Sequence, residues 1–172
     1  MARIIVAVLG RKNSGKTTII EEIVRRLRDR YRILVLKHVM DESFEIDRPG
    51  KDSWRFKRSG ADAVGIISRS RTALIIDTQH EMDPIRLVSV LEGVLGYEFD
   101  MVLMEGFSRI VGPSEEIYKI ITAKSREDLE YLLEITRGQI LAVFSETIKG
   151  SSSVLGLKDI DIVIQKIENM LS

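Results

Sequence analysis

Between an unbroken apolar run, Ile4–Leu9, and a helical apolar stripe that begins at Ile19, the chain reads Gly10-Arg11-Lys12-Asn13-Ser14-Gly15-Lys16-Thr17. A glycine, four residues, then Gly-Lys-Thr is the spacing of a phosphate-binding loop, or P-loop. No other segment constrains the fold as much, because such a loop works where a buried strand hands over to the N-terminus of a helix. Phosphate oxygens must be met by several backbone N–H groups at once, so glycine stands where a side chain would block the approach. The helix start adds its positive dipole end. Lys16 supplies a cation for the β and γ phosphates, the Thr17 hydroxyl is placed to coordinate Mg²⁺, and Thr18 can add a bond to the α phosphate. The nucleotide-binding residues are therefore Gly10, Arg11, Lys12, Asn13, Ser14, Gly15, Lys16, Thr17 and Thr18. A chance match to the fixed positions arises in fewer than about one chain per hundred, and the strand-to-helix context makes this one specific.

The rest of the chain repeats the alternation that the loop demands. Ile19, Ile20, Ile23, Val24 and Leu27 share one helical face, while Arg25, Arg26, Arg28 and Arg30 form the other, read as a solvated face. Ile33 to Leu36 reads as a second buried strand. Asp52 or Ser53 caps a short helix that stops at Gly60. Ala63 to Ser68 and Thr72 to Asp77 read as an antiparallel hairpin. Asp83-Pro84 starts a helix that Gly96 ends. Met101 to Met104, Ile117 to Thr122 and Ile140 to Phe144 continue the strands, with helices from about Arg126 to Ile135 and from about Ile162. Ile4–Leu9 lacks polar alternation, as expected of a strand with both faces covered. The pattern predicts an α/β, P-loop NTPase-like three-layer fold: a mostly parallel sheet with helices on both faces and an antiparallel hairpin extension.

At 172 residues the chain is expected to form a single P-loop nucleotide-binding domain over 1–172. Lysine plus arginine and aspartate plus glutamate both count 26, so the basic excess of a nucleic-acid binder is missing. Without cysteine, disulfides, thiolate zinc sites and thiol catalysis are excluded. Ile4–Leu9 is too short to span a bilayer and leads into the P-loop rather than a cleavage site. The expectation is a soluble cytoplasmic protein with no membrane and no nucleic-acid partner.

A triphosphate site also needs a carboxylate for the metal or its waters. The strand from Asp100 to Glu105 carries one at each end, and ligands of open α/β sheets sit at the carboxyl ends of strands. Asp100 lies roughly 16 Å from that edge at about 3.3 Å per residue. Glu105 lies on it and takes the metal-side role, with turn capping as the plain alternative. Lys37 and His38 end the second strand on the same side. The loop beyond carries Asp41, Glu42, Glu45 and Asp47 and is placed to close over a γ phosphate. Asp47 is the preferred metal-side carboxylate there, against simple solvated charge. Metal ligands are thus Thr17, Asp47 and Glu105, and the candidate catalytic residues are Lys16, Glu105 and Asp47.

Several blocks together resemble one family. Ser-Gly-Lys-Thr-Thr in the P-loop, Lys37-His38, Asp47-Arg-Pro-Gly-Lys-Asp-Ser53, Gly60-Ala61 and Glu105-Gly106-Phe107 are similar to the molybdopterin-guanine dinucleotide biosynthesis protein B family, MobB. They span about the first two-thirds of the chain in the family's order. The resemblance implies GTP binding with Mg²⁺ and at most weak hydrolysis, leaving open whether the protein is an enzyme at all. It also implies an accessory role in making the guanine dinucleotide form of the molybdenum cofactor, with the nucleotidyltransferase MobA and molybdopterin as partners, and a homodimer. His38, Lys51 and Asp52 fall in matched blocks without an assigned step. Ser108 stands where the family often has lysine. There is no Asn-Lys-x-Asp guanine-reading motif, so GTP over ATP rests on the resemblance, with Ser145 and Glu146 at the base-reading edge. Two alternatives stand beside it: a P-loop small-molecule kinase, with Arg109 and Arg126 as candidate lid arginines, and an interaction module whose hairpin extends a sheet across a dimer.

Overall fold

The computed structural model describes residues 3–41, 43–78, 80–148 and 153–172. They form two compact units, 1–38 together with 92–172, and 39–91. Glu42, named above in the acidic loop, lies outside the described residues.

The first unit is built on a parallel sheet of six strands: β1 (Ile4–Leu9), β2 (Ile33–Lys37), β5 (Met101–Glu105), β6 (Tyr118–Thr122), β7 (Ile140–Phe144) and β8 (Val154–Leu155). Their order is β2-β5-β1-β6-β7-β8. All ladders between them are parallel, and β1 pairs with β5 from Ile4 opposite Met101 to Val8 opposite Glu105. The central strands carry apolar residues on both faces, and Val6, Ala7, Val8 and Leu9 are all fully buried. This is the burial that an unalternating strand sequence requires.

Helix α1 (Lys16–Leu27) leads from β1 to β2 in one direction along the sheet, and α5 (Arg126–Ile135) leads from β6 to β7 in the other. Right-handed crossovers running in opposite directions put their helices on opposite faces, which gives the expected three layers. The predicted stripe Ile19, Ile20, Ile23 and Leu27 packs with Ile4, Val6 and Val8 of β1 and with Ile160, Val163, Ile164 and Ile167 of α6 (Ile160–Leu171). Each such fully buried aliphatic side chain contributes about 1.5–3 kcal/mol of transfer free energy. The arginine-rich face of α1 is neutralised rather than open to phosphate: Arg25 and Arg26 pair with Glu22, Arg26 also with Asp161, and Arg30 with Glu168.

Three local expectations are corrected. β2 is an edge strand, and its Val35 is exposed, because position in the sheet is set by its neighbours. A short helix α4 (Ser108–Val111) follows β5, and a two-residue strand β8 closes the sheet; both are too short to carry a period.

The second unit holds α2 (Asp52–Arg58) and the hairpin of β3 (Ala63–Ile67) with β4 (Thr72–Ile76). The hairpin pairs antiparallel as expected, Ala63 opposite Ile76 and Ile67 opposite Thr72, as a separate two-stranded sheet. Its turn is closed by the Ser68 hydroxyl, which accepts the Arg71 N–H at 3.0 Å. The cap of α2 is Lys51 rather than Asp52 or Ser53, so Asp52 occupies the first turn, where its charge suits the helix dipole. Lys57 ties the unit together, with Nζ at 3.0 Å from Asp77 and 3.5 Å from Glu45. Helix α3 (Pro84–Leu95) begins here, capped by Asp83 Oδ1, which accepts the Ile85 and Arg86 N–H groups at 2.7 and 3.1 Å.

Candidate nucleotide-binding site

The loop between β1 and α1 is shaped by backbone conformation first. Asn13 and Gly15 take left-handed φ values of 59° and 92°. A side chain rarely adopts these, and glycine and asparagine are the residues that tolerate them. Gly10 is glycine for a further reason that the sequence did not reveal. A Cβ there would fall 2.1 Å from Thr122 Oγ1 and 2.4 Å from the Thr122 carbonyl oxygen, so the loop lies directly against the end of β6.

Inside the loop, the Arg11 carbonyl accepts both the Lys16 ammonium, at 2.7 Å, and the Ser14 hydroxyl, at 2.8 Å. Lys16 is thus folded back over the loop at the first residue of α1. Partial burial lowers its pKa from the usual lysine value, with Glu105 opposing that shift and Lys37 reinforcing it. Thr17 and Thr18 follow at exposed positions of the first turn.

Glu105 joins this loop across the sheet. The Thr17 hydroxyl donates to Glu105 Oε2 at 3.1 Å, and Lys37 Nζ lies 3.3 Å from Glu105 Oε1. The β1–β5 register puts Glu105 beside Val8 and the β2–β5 register puts it beside Lys37, so the three groups meet at one carboxyl-end edge. Asp100 sits at the other end of β5, where Oδ2 accepts the Arg32 N–H at 2.7 Å; it fastens the start of β2. Next to Glu105, Gly106 and Phe107 both have positive φ, 86° and 57°, and the Phe107 ring lies 5.0 Å from that of His38. This bend brings the Glu-Gly-Phe and Lys-His segments together at the strand ends.

The remaining candidates belong to the second unit or serve the backbone. Asp47 belongs to the second unit; its Oδ1 accepts the Arg48 N–H at 2.8 Å, and its Oδ2 is buried without a hydrogen bond. Lys51 and Asp52 open α2. Ser145 Oγ accepts the Thr147 and Ile148 N–H groups at 3.2 and 3.1 Å, and Glu146 Oε1 accepts the Leu157 N–H at 3.0 Å. Those two side chains organise the turn after β7. Sequence reasoning missed Thr122 and Asp128, both of which brace the loop. Asp128 was visible as the end of Ser125-x-x-Asp128, a helix-start signature, and the Ser125 hydroxyl does accept the Asp128 N–H at 3.1 Å.

Among the described residues no group of three or more histidine, cysteine, aspartate or glutamate side chains could hold a metal. A hydroxyl and a carboxylate 3.1 Å apart at the helix start are nevertheless the hard-oxygen donors that suit Mg²⁺. That ion commonly takes one or two protein ligands and fills the rest with water and phosphate oxygens.

Comparison with known proteins agrees with the sequence blocks. The profile of molybdopterin guanine dinucleotide synthesis protein B matches residues 5–146. A putative molybdopterin-guanine dinucleotide biosynthesis adapter protein of Methanocaldococcus jannaschii is 35% identical over 123 residues, 72% of this chain and 48% of the relative. The chain therefore spans about half the length of that relative. The adapter protein of Haemophilus influenzae is 29% identical over 141 residues, covering 81% of this chain and 77% of that one. The crystal structure of Bacillus subtilis MobB superposes with a TM-score of 0.74 at 25% identity, over 98% of each chain. On the profile match alone, which takes in the P-loop, Glu105 and the strands between them, the chain belongs to the molybdopterin guanine dinucleotide synthesis protein B (MobB) family.

Proposed function

We propose that the chain is a cytoplasmic, GTP-binding accessory protein for the guanine dinucleotide form of the molybdenum cofactor, with at most slow Mg²⁺-dependent hydrolysis. The single observation that carries the nucleotide reading is the convergence of Thr17 and Lys37 on Glu105 beside the P-loop. Gly10 to Thr18 would wrap the phosphates. Lys16 would release the Arg11 carbonyl and turn to the β and γ oxygens. Thr17 and Glu105 would hold Mg²⁺, which neutralises phosphate charge when bound. Asp47 enters through its sequence block, and its buried Oδ2 has no hydrogen-bond partner. Any hydrolysis would use Lys16, Glu105 and Asp47. No helix among the described residues is long and apolar enough to cross a membrane.

The names of the M. jannaschii and H. influenzae relatives support the pathway. The family resemblance implies molybdopterin and the guanylyltransferase MobA as partners. A homodimer is part of the same reading. The hairpin leaves Ile67 83% and Leu74 64% exposed, and a second copy covering them would remove an apolar face and an open sheet edge. The kinase alternative has no comparable support among the relatives.

Calorimetric titration of GTP and ATP, with and without Mg²⁺, tests the proposal. GTP should bind more tightly than ATP, binding should strengthen with Mg²⁺, and Lys16→Ala should abolish it. Equal affinity for the two nucleotides, or a Lys16→Ala variant that binds like the parent, overturns it.

A further inference from the structure

The outer limb of the phosphate loop rests on the junction between β6 and α5. Gly10 packs on Thr122, and the Ser14 and Thr122 hydroxyls share a 2.6 Å hydrogen bond. Lys124 Nζ reaches the Lys12 carbonyl at 3.4 Å. The closest tie is ionic. Asp128, in the first turn of α5, is only 3% exposed, and its Oδ1 lies 2.9 Å from Arg11 Nε. The other oxygen, Oδ2, accepts the Lys124 N–H at 3.0 Å. Oδ1 has no aligned hydrogen bond; it meets the Arg11 guanidinium as an ion pair, and the Lys16 ammonium also feels the Asp128 charge.

One turn further along, Tyr131 supports the same guanidinium, whose carbon lies 5.8 Å from the ring centroid. Residues three apart on a helix share a face, so one face of α5 grips Arg11 at two points. A buried carboxylate is costly unless paired. A helix cap alone would not need it, because Ser125 already caps α5. What Asp128 adds is a hold on residue 11, and residue 11 carries the carbonyl on which Lys16 and Ser14 converge.

We infer that Asp128 is a positioning residue for nucleotide binding, acting through Arg11 to fix the phosphate loop and the starting point of Lys16. The inference rests on the reading of Gly10 to Thr18 as a GTP site. Without the anchor, the Arg11 side chain loses its ionic hold, the outer limb of the loop is less firmly preformed, and the nucleotide must complete its ordering on binding.

The test is a double-mutant cycle on Mg²⁺-GTP affinity, read by calorimetry on the full chain. Asp128→Asn should weaken binding about tenfold, and Arg11→Gln by a similar factor. The double variant should be no weaker than Arg11→Gln alone, because both changes cut the same tie. Glu127→Gln, on the exposed neighbour, should bind like the parent. An Asp128→Asn variant with parental affinity, or two effects that multiply, overturns the inference. If Asp128→Asn does not fold, Arg11→Met reads the same contact. It keeps the length of the side chain but removes the charge, so weakened binding supports the anchor and parental binding overturns it. Failure of the underlying site reading shows elsewhere, as a parent that binds no GTP or a Lys16→Ala variant that binds normally.

Discussion

Thr17, in the first turn of α1, donates its hydroxyl hydrogen to Glu105 at the end of β5, 88 residues further along the chain. The contact exists because β5 lies beside β1 with Glu105 level with Val8, one residue short of the strand end from which the phosphate loop departs. A hydroxyl that already faces a carboxylate needs only a small rearrangement to share a divalent cation with it. That pairing makes the first prediction specific.

Glu105→Gln keeps the size and the hydrogen bond to Thr17 but removes the charge. GTP affinity in Mg²⁺ should fall roughly ten- to hundredfold, and the difference between titrations with and without the ion should nearly vanish. Titration in EDTA and in Mg²⁺ checks this. An unchanged Mg²⁺ dependence would count against Glu105 as the metal-side carboxylate.

Gly10 and Gly15 should fail for different reasons. Gly10→Ala meets the Thr122 hydroxyl and carbonyl well inside contact distance, and the carbonyl cannot rotate away. Overpacking of this kind costs about 1–3 kcal/mol. At Gly15 there is open space but a φ of 92°, so alanine should cost only about 1–2 kcal/mol of backbone strain. Chemical denaturation of both variants, with the Gly10 variant also losing GTP affinity, is the measurement.

Lys119 is fully buried on β6, its ammonium donating to the carbonyls of Ser114 and, at 2.8 Å, of Arg137. Burial lowers its pKa from 10.5, with nearby Glu115 opposing the shift. Between that lowered pKa and 10.5 the unfolded chain binds more protons at this site than the folded one, so this group's contribution to stability rises with pH. It is complete above 10.5 and lost as pH falls through the folded pKa. The stability advantage of the parent over Lys119→Met should therefore grow as pH rises from the lowered pKa towards 10.5. Denaturation midpoints of the pair across that range test the sign.

The hairpin gives the last prediction. Replacing Ile67 and Leu74, both strongly exposed, with lysine should leave the chain folded, since surface changes usually cost under about 0.5 kcal/mol. The same pair should turn a dimer into a monomer by light scattering. A parent that is already monomeric at high concentration would remove the hairpin from the assembly.

Much of the fold was legible because it is written in local patterns. The stripe Ile19, Ile20, Ile23 and Leu27 reads as a helix face and is one; Asp83-Pro84 reads as a helix start and caps α3 through its carboxylate; α5 and β7 fall on the residues expected. The misses have two causes. Val154–Leu155 is too short to show a period, and Ser108–Val111 is a single turn held behind a bend. The edge position of β2 cannot be read from Ile33 to Lys37, because a strand's sequence does not say how many neighbours it has.

By itself the sequence determined the spacing from Gly10 to Thr17, the glycines that admit its backbone, and the apolar faces that seat α1 against β1. These depend on residues within one or two turns of each other, where periodicity and conformational preference act directly. The strand order was decided only by the tertiary structure, and with it the meeting of Thr17 with Glu105 and of Arg11 with Asp128. Strand ladders are made by backbone groups common to every residue. Which strand lies beside β1 is therefore settled by the packing of the whole sheet and its helices.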